Sequence, residues 1–314
     1  MALRLPALLL AIGLCLAATA LAQSTEITTA AKAIPPETIA LSADFEGVLD
    51  PSINAAYLCK GVVRFISAPT AENPKNRALL LALDPTKASA IGRCDPSNAP
   101  AERTELAEPD ELRLPLGTEV WYSFRFMIPA AMKGKFVGDR AVLAQLKQSP
   151  RTCPLGPQPF GVAGAAEGNP TISLRVIEEK ASGFMGLQLA VSGDGAPKLS
   201  VGRLLHPRDL FLDHWHDVLL HAKIAPQVGS TSNDPDPGFV EGWLDGQPFS
   251  HDLYGVLDGK GTVNKKEPFG YAGLVGCTYF KYGIYRDRQA ERWIVAFDRF
   301  RRGATRDSVE IPAQ

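Results

Sequence analysis

Three stretches of this 314-residue chain place polar or ionisable side chains at positions i and i+2, the spacing that puts them on one side of an extended strand. Arg103-Thr104-Glu105-Leu106 sets Arg103 beside Glu105 and turns Thr104 and Leu106 the other way. Gln145-Leu146-Lys147-Gln148 pairs Gln145 with Lys147 and sends Leu146 to the core side. The segment from Tyr279 to Arg286 aligns Tyr279, Lys281, Gly283 and Tyr285 against Phe280, Tyr282 and Ile284. A guanidinium and a side-chain amide hold carboxylates, by bidentate pairing and by amide donation. A phenol, with a reference pKa of about 10, becomes a usable acid or base where nearby cations favour its ionised form, and Lys281 and Arg286 are the neighbouring candidates. The chemistry these types allow is anion binding coupled to a proton transfer, provided the strands lie side by side. Each segment alone also reads as the wet face of an antiparallel sheet. The three together predict a polar groove.

Positioning such groups is a task for strands. Residues 121–128 alternate strictly, with Tyr122, Phe124, Phe126 and Ile128 on one side and Trp121, Ser123, Arg125 and Met127 on the other, as a half-buried strand should. The same period of two recurs at 171–177, 186–191, 218–224, 239–244, 278–285 and 294–300. Asp194-Gly195, Asp245-Gly246 and Asp258-Gly259 punctuate these runs as dipeptides whose second residue tolerates positive φ, and Asp245-Gly246 predicts a hairpin. With 28 glycines and 25 prolines, no long stretch beyond the N-terminus keeps a helical period. Many short strands with frequent turns predict an all-β fold of two packed antiparallel sheets, a β-sandwich or jelly roll. On the polar side of these strands Arg125 is a candidate substrate contact. His221, which shares a side with Asp217, Leu219 and Lys223, is a reserve base. His214 and His216 flank Trp215 at a strand entrance, where packing and a local hydrogen bond are the expected roles.

The N-terminus reads as an address. Arg4, an apolar run from Leu8 to Ala18 and then Ala20-Leu21-Ala22 have the order of a secretory signal peptide cut before Gln23, and the run is shorter than the roughly 20 residues that span a bilayer. Residues 1–22 are therefore expected as signal, 23–40 as a flexible Ser/Thr/Ala-rich leader and 41–314 as one domain, secreted or periplasmic. A formal net charge of −1 argues against binding nucleic acid through bulk charge. A monomer is expected, with no membrane span. Cys15 leaves with the signal; Cys59, Cys94, Cys153 and Cys277 remain, and an even count in an oxidising compartment reads as two disulfides. Sequence cannot choose among the three pairings; Cys59 with Cys94 and Cys153 with Cys277 is the one adopted. No cysteine has a CxxC partner or a histidine at ligand spacing, so no metal site and no cofactor is expected. The Asn233-Asp234-Pro235-Asp236 loop admits a structural calcium, but a solvated turn is the expected reading.

Arg103-Thr104-Glu105-Leu106, Gln145-x-Lys147 and Tyr279-Phe280-Lys281-x-Gly283-x-Tyr285, in that order, resemble the motif series of the jelly-roll polysaccharide lyases, which include alginate lyases, glucuronan lyases and heparin lyase I. His214-Trp215-His216-Asp217 and the run from Gly238 to Gly246 resemble the same group, and the likeness extends from about residue 40 to residue 303. The resemblance implies β-elimination: the proton on C5 of a uronate is removed and the glycosidic oxygen on C4 is expelled. Such a C–H is a poor acid beside a charged carboxylate, so the carboxylate must be neutralised and the enolate-like intermediate stabilised. Arg103 and Gln145 would do this, Glu105 would orient Arg103, and Tyr285 resembles the family's catalytic tyrosine. Lys281, Arg286, Tyr279 and Arg125 would contact substrate.

One position departs from the family pattern, because Lys147 stands where many of these lyases have a histidine. Either Tyr285 acts as both base and acid in a syn elimination, or Lys147 helps to neutralise the carboxylate and the base lies elsewhere. An unperturbed lysine near pKa 10.4 is mostly protonated at neutral pH, which favours the first. Trp121 and Trp243 are candidates for stacking on sugar rings or for the core. The alternative to a lyase of uronic-acid polymers is a non-catalytic carbohydrate-binding β-sandwich. A glycoside hydrolase would need two carboxylates about 5–10 Å apart, and Glu178-Glu179 face opposite ways.

Overall fold

The computed structural model describes residues 35–311 apart from 48, 50–52, 59–60, 71–72, 86–100, 116, 137–140, 150–169, 180–183, 193–199, 206–209, 211, 224–238 and 252–276. The expected signal peptide, most of the leader, Cys59, Cys94, Cys153, the dipeptides Asp194-Gly195 and Asp258-Gly259 and the Asn233–Asp236 loop lie outside the described residues. Cys277 is described and fully buried.

In chain order the strands are β1 (Leu41–Ala43), β2 (Asn54–Tyr57), β3 (Gly61–Ser67), β4 (Arg77–Leu83), β5 (Ala101–Ala107), β6 (Leu114–Pro115), β7 (Val120–Met127), β8 (Val142–Ser149), β9 (Ile172–Glu179), β10 (Phe184–Ser192), β11 (Ser200–Leu205), β12 (Trp215–Lys223), β13 (Phe239–Leu244), β14 (Gln247–Pro248), β15 (Ser250–His251), β16 (Cys277–Asp287) and β17 (Trp293–Gly303). One four-residue helix, Pro36–Ile39, precedes them, and two single 3-10 turns follow β5 and β7. The runs expected from alternation all fall within strands to within a few residues at either end. The notable omission is β4, Arg-Ala-Leu-Leu-Leu-Ala-Leu, which is apolar on both sides and so carries no period of two.

The strands form two antiparallel sheets. One runs β14-β13-β12-β7-β17-β4-β3 with β1 added to β17; the other runs β15-β11-β10-β9-β8-β16-β5-β2 with β6 added to β16. Both turn one side inward to a shared core, which makes the molecule a β-sandwich of jelly-roll type. Tyr122 of β7 stacks on Phe280 of β16, with ring centroids 4.4 Å apart, and Tyr282 stacks on Phe300 of β17 at 4.8 Å. Each such buried ring contributes roughly 1.5–3 kcal/mol of hydrophobic stabilisation. The core also encloses an ion pair, Arg302 to Glu108 at 2.9 Å, with neither side chain exposed. Burial raises the Glu108 carboxyl above its ordinary range, against the opposing pull of Arg302.

Asp245 and Gly246 join β13 to β14 as a two-residue turn with φ of 51° and 74°. Positive φ at both central residues is the twist-matched hairpin turn that an Asp-Gly pair favours. The Asp245 carboxylate then serves as a local clasp, accepting from the Asp217 backbone N–H at 2.8 Å and meeting His216 Nδ1 at 2.7 Å.

Candidate active site

The three polar segments fall on β5, β8 and β16, and β16 lies between the other two. Tyr285 is opposite Arg103 and Lys281 is opposite Ala107 on one side of β16; Lys281 is opposite Gln145 and Tyr279 opposite Lys147 on the other. Because side chains of paired residues share a sheet face, Arg103, Glu105, Gln145, Lys147, Tyr279, Lys281 and Tyr285 all stand on the side turned away from the core.

Gly283 joins the halves of this group. It has φ of 141°, and a Cβ built there would meet the Thr104 carbonyl oxygen at 2.4 Å and Glu105 Cα at 2.7 Å, so no other residue fits without backbone movement. The register of β16 against β8 slips beside it, between Tyr282 and Tyr285, the mark of a bulge that re-aims neighbouring side chains. The Glu105 carboxylate reaches across β16 and accepts a hydrogen bond from Gln145 Nε2. The same carboxylate lies 3.7 Å from Arg103 Nη1, and the Arg103 guanidinium sits over the Tyr285 ring at 4.7 Å. Glu105 thus orients the amide as well as the guanidinium, a wider role than sequence suggests.

Exposure divides the face into an open row and a shielded one. Arg103 is 17% exposed and Tyr285 is half-buried. Gln145 and Glu105 are only 2% and 1% exposed, Lys147 is 9%, and Tyr279 and Lys281 are fully buried. Lys281 and Tyr279 therefore underlie the site rather than line it: Lys281 Nζ lies 5.5 Å from the Tyr279 ring, and the Arg113 guanidinium sits over that ring at 4.2 Å. Positive charge held out of water acts on a bound anion more strongly than it would at a wet surface. Arg113, held by Asp110 at 2.6 Å, was not legible as a site residue, since its place beside Tyr279 depends on β6 pairing with β16.

Two expected substrate contacts and the reserve base lie elsewhere. Arg286 points to the core side of β16, fully buried, bonded to Glu102 at 2.6 Å and stacked over Trp293 at 4.9 Å; burial lowers its pKa from the ordinary arginine value. It follows Tyr285 directly, and adjacent residues on a strand face opposite ways, so it cannot meet a substrate at Tyr285. Arg125 lies on the outer side of the other sheet, paired with Asp217 at 2.7 Å. His221 occupies that same outer side. It stacks on Trp121 at 3.9 Å, with Nε2 2.7 Å from Glu119 and Nδ1 2.8 Å from Glu241. Trp243 stacks on Trp121 there at 5.8 Å, so these tryptophans are neither core residues nor part of the groove. Among the described residues no group of three His, Cys, Asp or Glu side chains is placed to hold a metal ion, and no helix is long and apolar enough to cross a membrane.

The two-sheet jelly roll, together with the family match, places the chain in the class of jelly-roll polysaccharide lyases. The chain belongs to the polysaccharide lyase family, whose model matches residues 66–301, and it is an enzyme of that kind. Among solved structures it resembles an endo-β-1,4-glucuronan lyase from the fungus Trichoderma reesei, at 17% identity and a TM-score of 0.53, over 86% of this chain and 97% of that one. It is also similar to alginate lyase Aly36B, at 11% identity and TM-score 0.47, over 89% of this chain and 100% of the other. A further match is an alginate lyase from a Chlorella virus, at 11% identity and TM-score 0.42, over 80% of this chain and 91% of that one. No curated protein matches the sequence.

Proposed function

We propose that this lyase cleaves a uronic-acid-containing polysaccharide by β-elimination, with Tyr285 serving as both base and acid. The observation that carries the reading is the linked set on the outer face of β5, β16 and β8: Gln145 bonded to Glu105, Glu105 beside Arg103, and Arg103 over the ring of Tyr285. Arg103 pairs with the substrate carboxylate and the Gln145 amide donates to it, which spreads the charge that builds up when C5 loses its proton. Tyr285, as phenolate, takes the C5 proton. The C4–O bond then breaks with formation of a C4=C5 double bond, and the same phenol delivers its proton to the departing glycosidic oxygen. Atoms balance without water: one glycosidic bond yields one new reducing end and one unsaturated end. Lys147 and Lys281 supply positive charge to the same anion.

The polymer is met outside the cell membrane in this reading. The charged start, apolar run and Ala20-Leu21-Ala22 support export with removal of residues 1–22, followed by a leader to residue 40 and a single working domain, 41–314, acting as a monomer. The even count of four cysteines that remain after residue 22 supports a disulfide-stabilised mature chain.

Purified mature protein incubated with glucuronan, alginate and glycosaminoglycans, across pH, is expected to generate ultraviolet absorbance from unsaturated ends on at least one polymer. Silence on every polymer overturns the proposal, and new reducing ends without absorbance would indicate hydrolysis instead.

A further inference from the structure

We propose that Arg175 and Gln188 form a distal subsite that holds the carboxylate of a second acidic sugar, so that the polymer crosses the strands along the row running from Arg103 to Gln188. The inference rests on the reading of Arg103 and Tyr285 as the cleavage point and extends it to how a chain of sugars is held.

The row is defined by register. Arg103 of β5 is opposite Tyr285, Tyr285 is opposite Val142 of β8, Val142 is opposite Arg175 of β9, and Arg175 is opposite Gln188 of β10. All five stand on the side turned away from the core, since their chain neighbours Thr104, Ile284, Ala141, Leu143, Leu174, Leu187 and Leu189 are buried between the sheets. The parallel row through Ala107, Lys281, Gln145 and Ser173 is shielded throughout, each member 2% exposed or less. In the first row Arg103, Tyr285 and Arg175 retain exposure, whereas Val142 and Gln188 are 2% and 6% exposed, so a polymer meets this row through its two guanidinium groups and its phenol.

Spacing and chemistry fit a polyanion. Arg103 and Arg175 are three strands apart, about 14 Å at the usual ~4.8 Å separation. A pyranose unit with its linking oxygen is roughly one such spacing long, which brings the carboxylate of a sugar about three units along to Arg175. The guanidinium is held in place by donation from Nε to Ser173 Oγ at 2.9 Å, an arrangement that fixes the plane of its fork for a carboxylate. Gln188, 6% exposed, adds an amide next to it, repeating at the far end of the row the guanidinium and amide that sit at the cleavage point. Val142, 2% exposed, lies buried beneath the row between its two ends.

The test compares wild type, Arg175→Ala, Arg175→Lys and Arg103→Ala on oligoglucuronates and oligomannuronates of graded length, following unsaturated-product absorbance. For wild type, kcat/KM is expected to climb once the oligomer spans from Arg103 to Arg175. Arg175→Ala is expected to lose that climb, falling by roughly tenfold on long oligomers, the loss typical of one charge-assisted hydrogen bond; Arg175→Lys restores part of it. Arg103→Ala lowers turnover at every length. A length profile in Arg175→Ala parallel to that of wild type overturns the subsite, whereas absence of product from wild type overturns the cleavage reading. In that second case calorimetric binding of the same oligomers still tests Arg175, with equal affinity in wild type and Arg175→Ala counting against it.

Discussion

The two outer faces of the sandwich look alike along the chain and differ in how their charges are answered. On the eight-stranded sheet, Arg125 meets Asp217 and lies near the buried Asp298, and both nitrogens of His221 meet carboxylates, Glu119 and Glu241. On the nine-stranded sheet, Arg103, Lys147, Lys281 and Arg175 share the rows between Tyr279 and Tyr285 with Glu105, and that carboxylate is engaged with the site's own Gln145 and Arg103. A face whose cations are matched by neighbouring acids is a stabilised wet surface. A face whose carboxylate instead ties an amide and a guanidinium together beside a phenol, with further cations shielded from water, is arranged to receive an anionic ligand.

The sharpest way to break this comparison is at Tyr285. Tyr285→Phe keeps the ring beneath Arg103 and removes only the hydroxyl, so the fold and thermal midpoint should persist while turnover falls by about 10²–10⁴-fold, the usual worth of a general acid–base group. Substantial residual activity, measured as unsaturated product per enzyme, would move the chemistry off β16. A smaller effect is expected from Gly283→Ala, which asks a residue with a side chain to adopt a φ of 141° against the Thr104 carbonyl. Strain of this kind costs about 1–3 kcal/mol before the clash is counted, so the melting temperature should drop and activity should fall with it as Glu105 and Gln145 part. A variant as stable and active as wild type would show that the Glu105 bridge does not depend on the gap at 283. The least effect is expected at His221. His221→Ala removes the stacked ring beside Trp121 on the opposite sheet and should lower stability modestly while turnover stays near wild type. Loss of turnover with retained stability would show that the two faces do not divide the labour as described.

Part of this was legible along the chain and part was not, for a consistent reason. Alternation identified the strands that carry a wet side, and residues 239–244 were placed to the residue, because period two is a local property of the backbone. The apolar β4 escaped the same test since both of its sides are covered. Arg286 was misassigned through its nearness to Tyr285 in sequence, although strand geometry sends the two to opposite sides. Arg125 and His221 were misassigned because alternation reports which residues share a side of a strand, not which of the two sheets that strand joins.

By itself, then, the sequence determined an all-β sandwich, the ordered set of Arg103, Gln145 and Tyr285, and the side of its strand that each occupies. Only the tertiary structure decided that β16 inserts between β5 and β8, that Glu105 bridges to Gln145 over Gly283, and that Arg175 stands in the row of Arg103. Side-chain alternation is fixed by the backbone of a few residues, whereas strand order and register are fixed by contacts between residues far apart in the chain, such as Glu102 and Arg286.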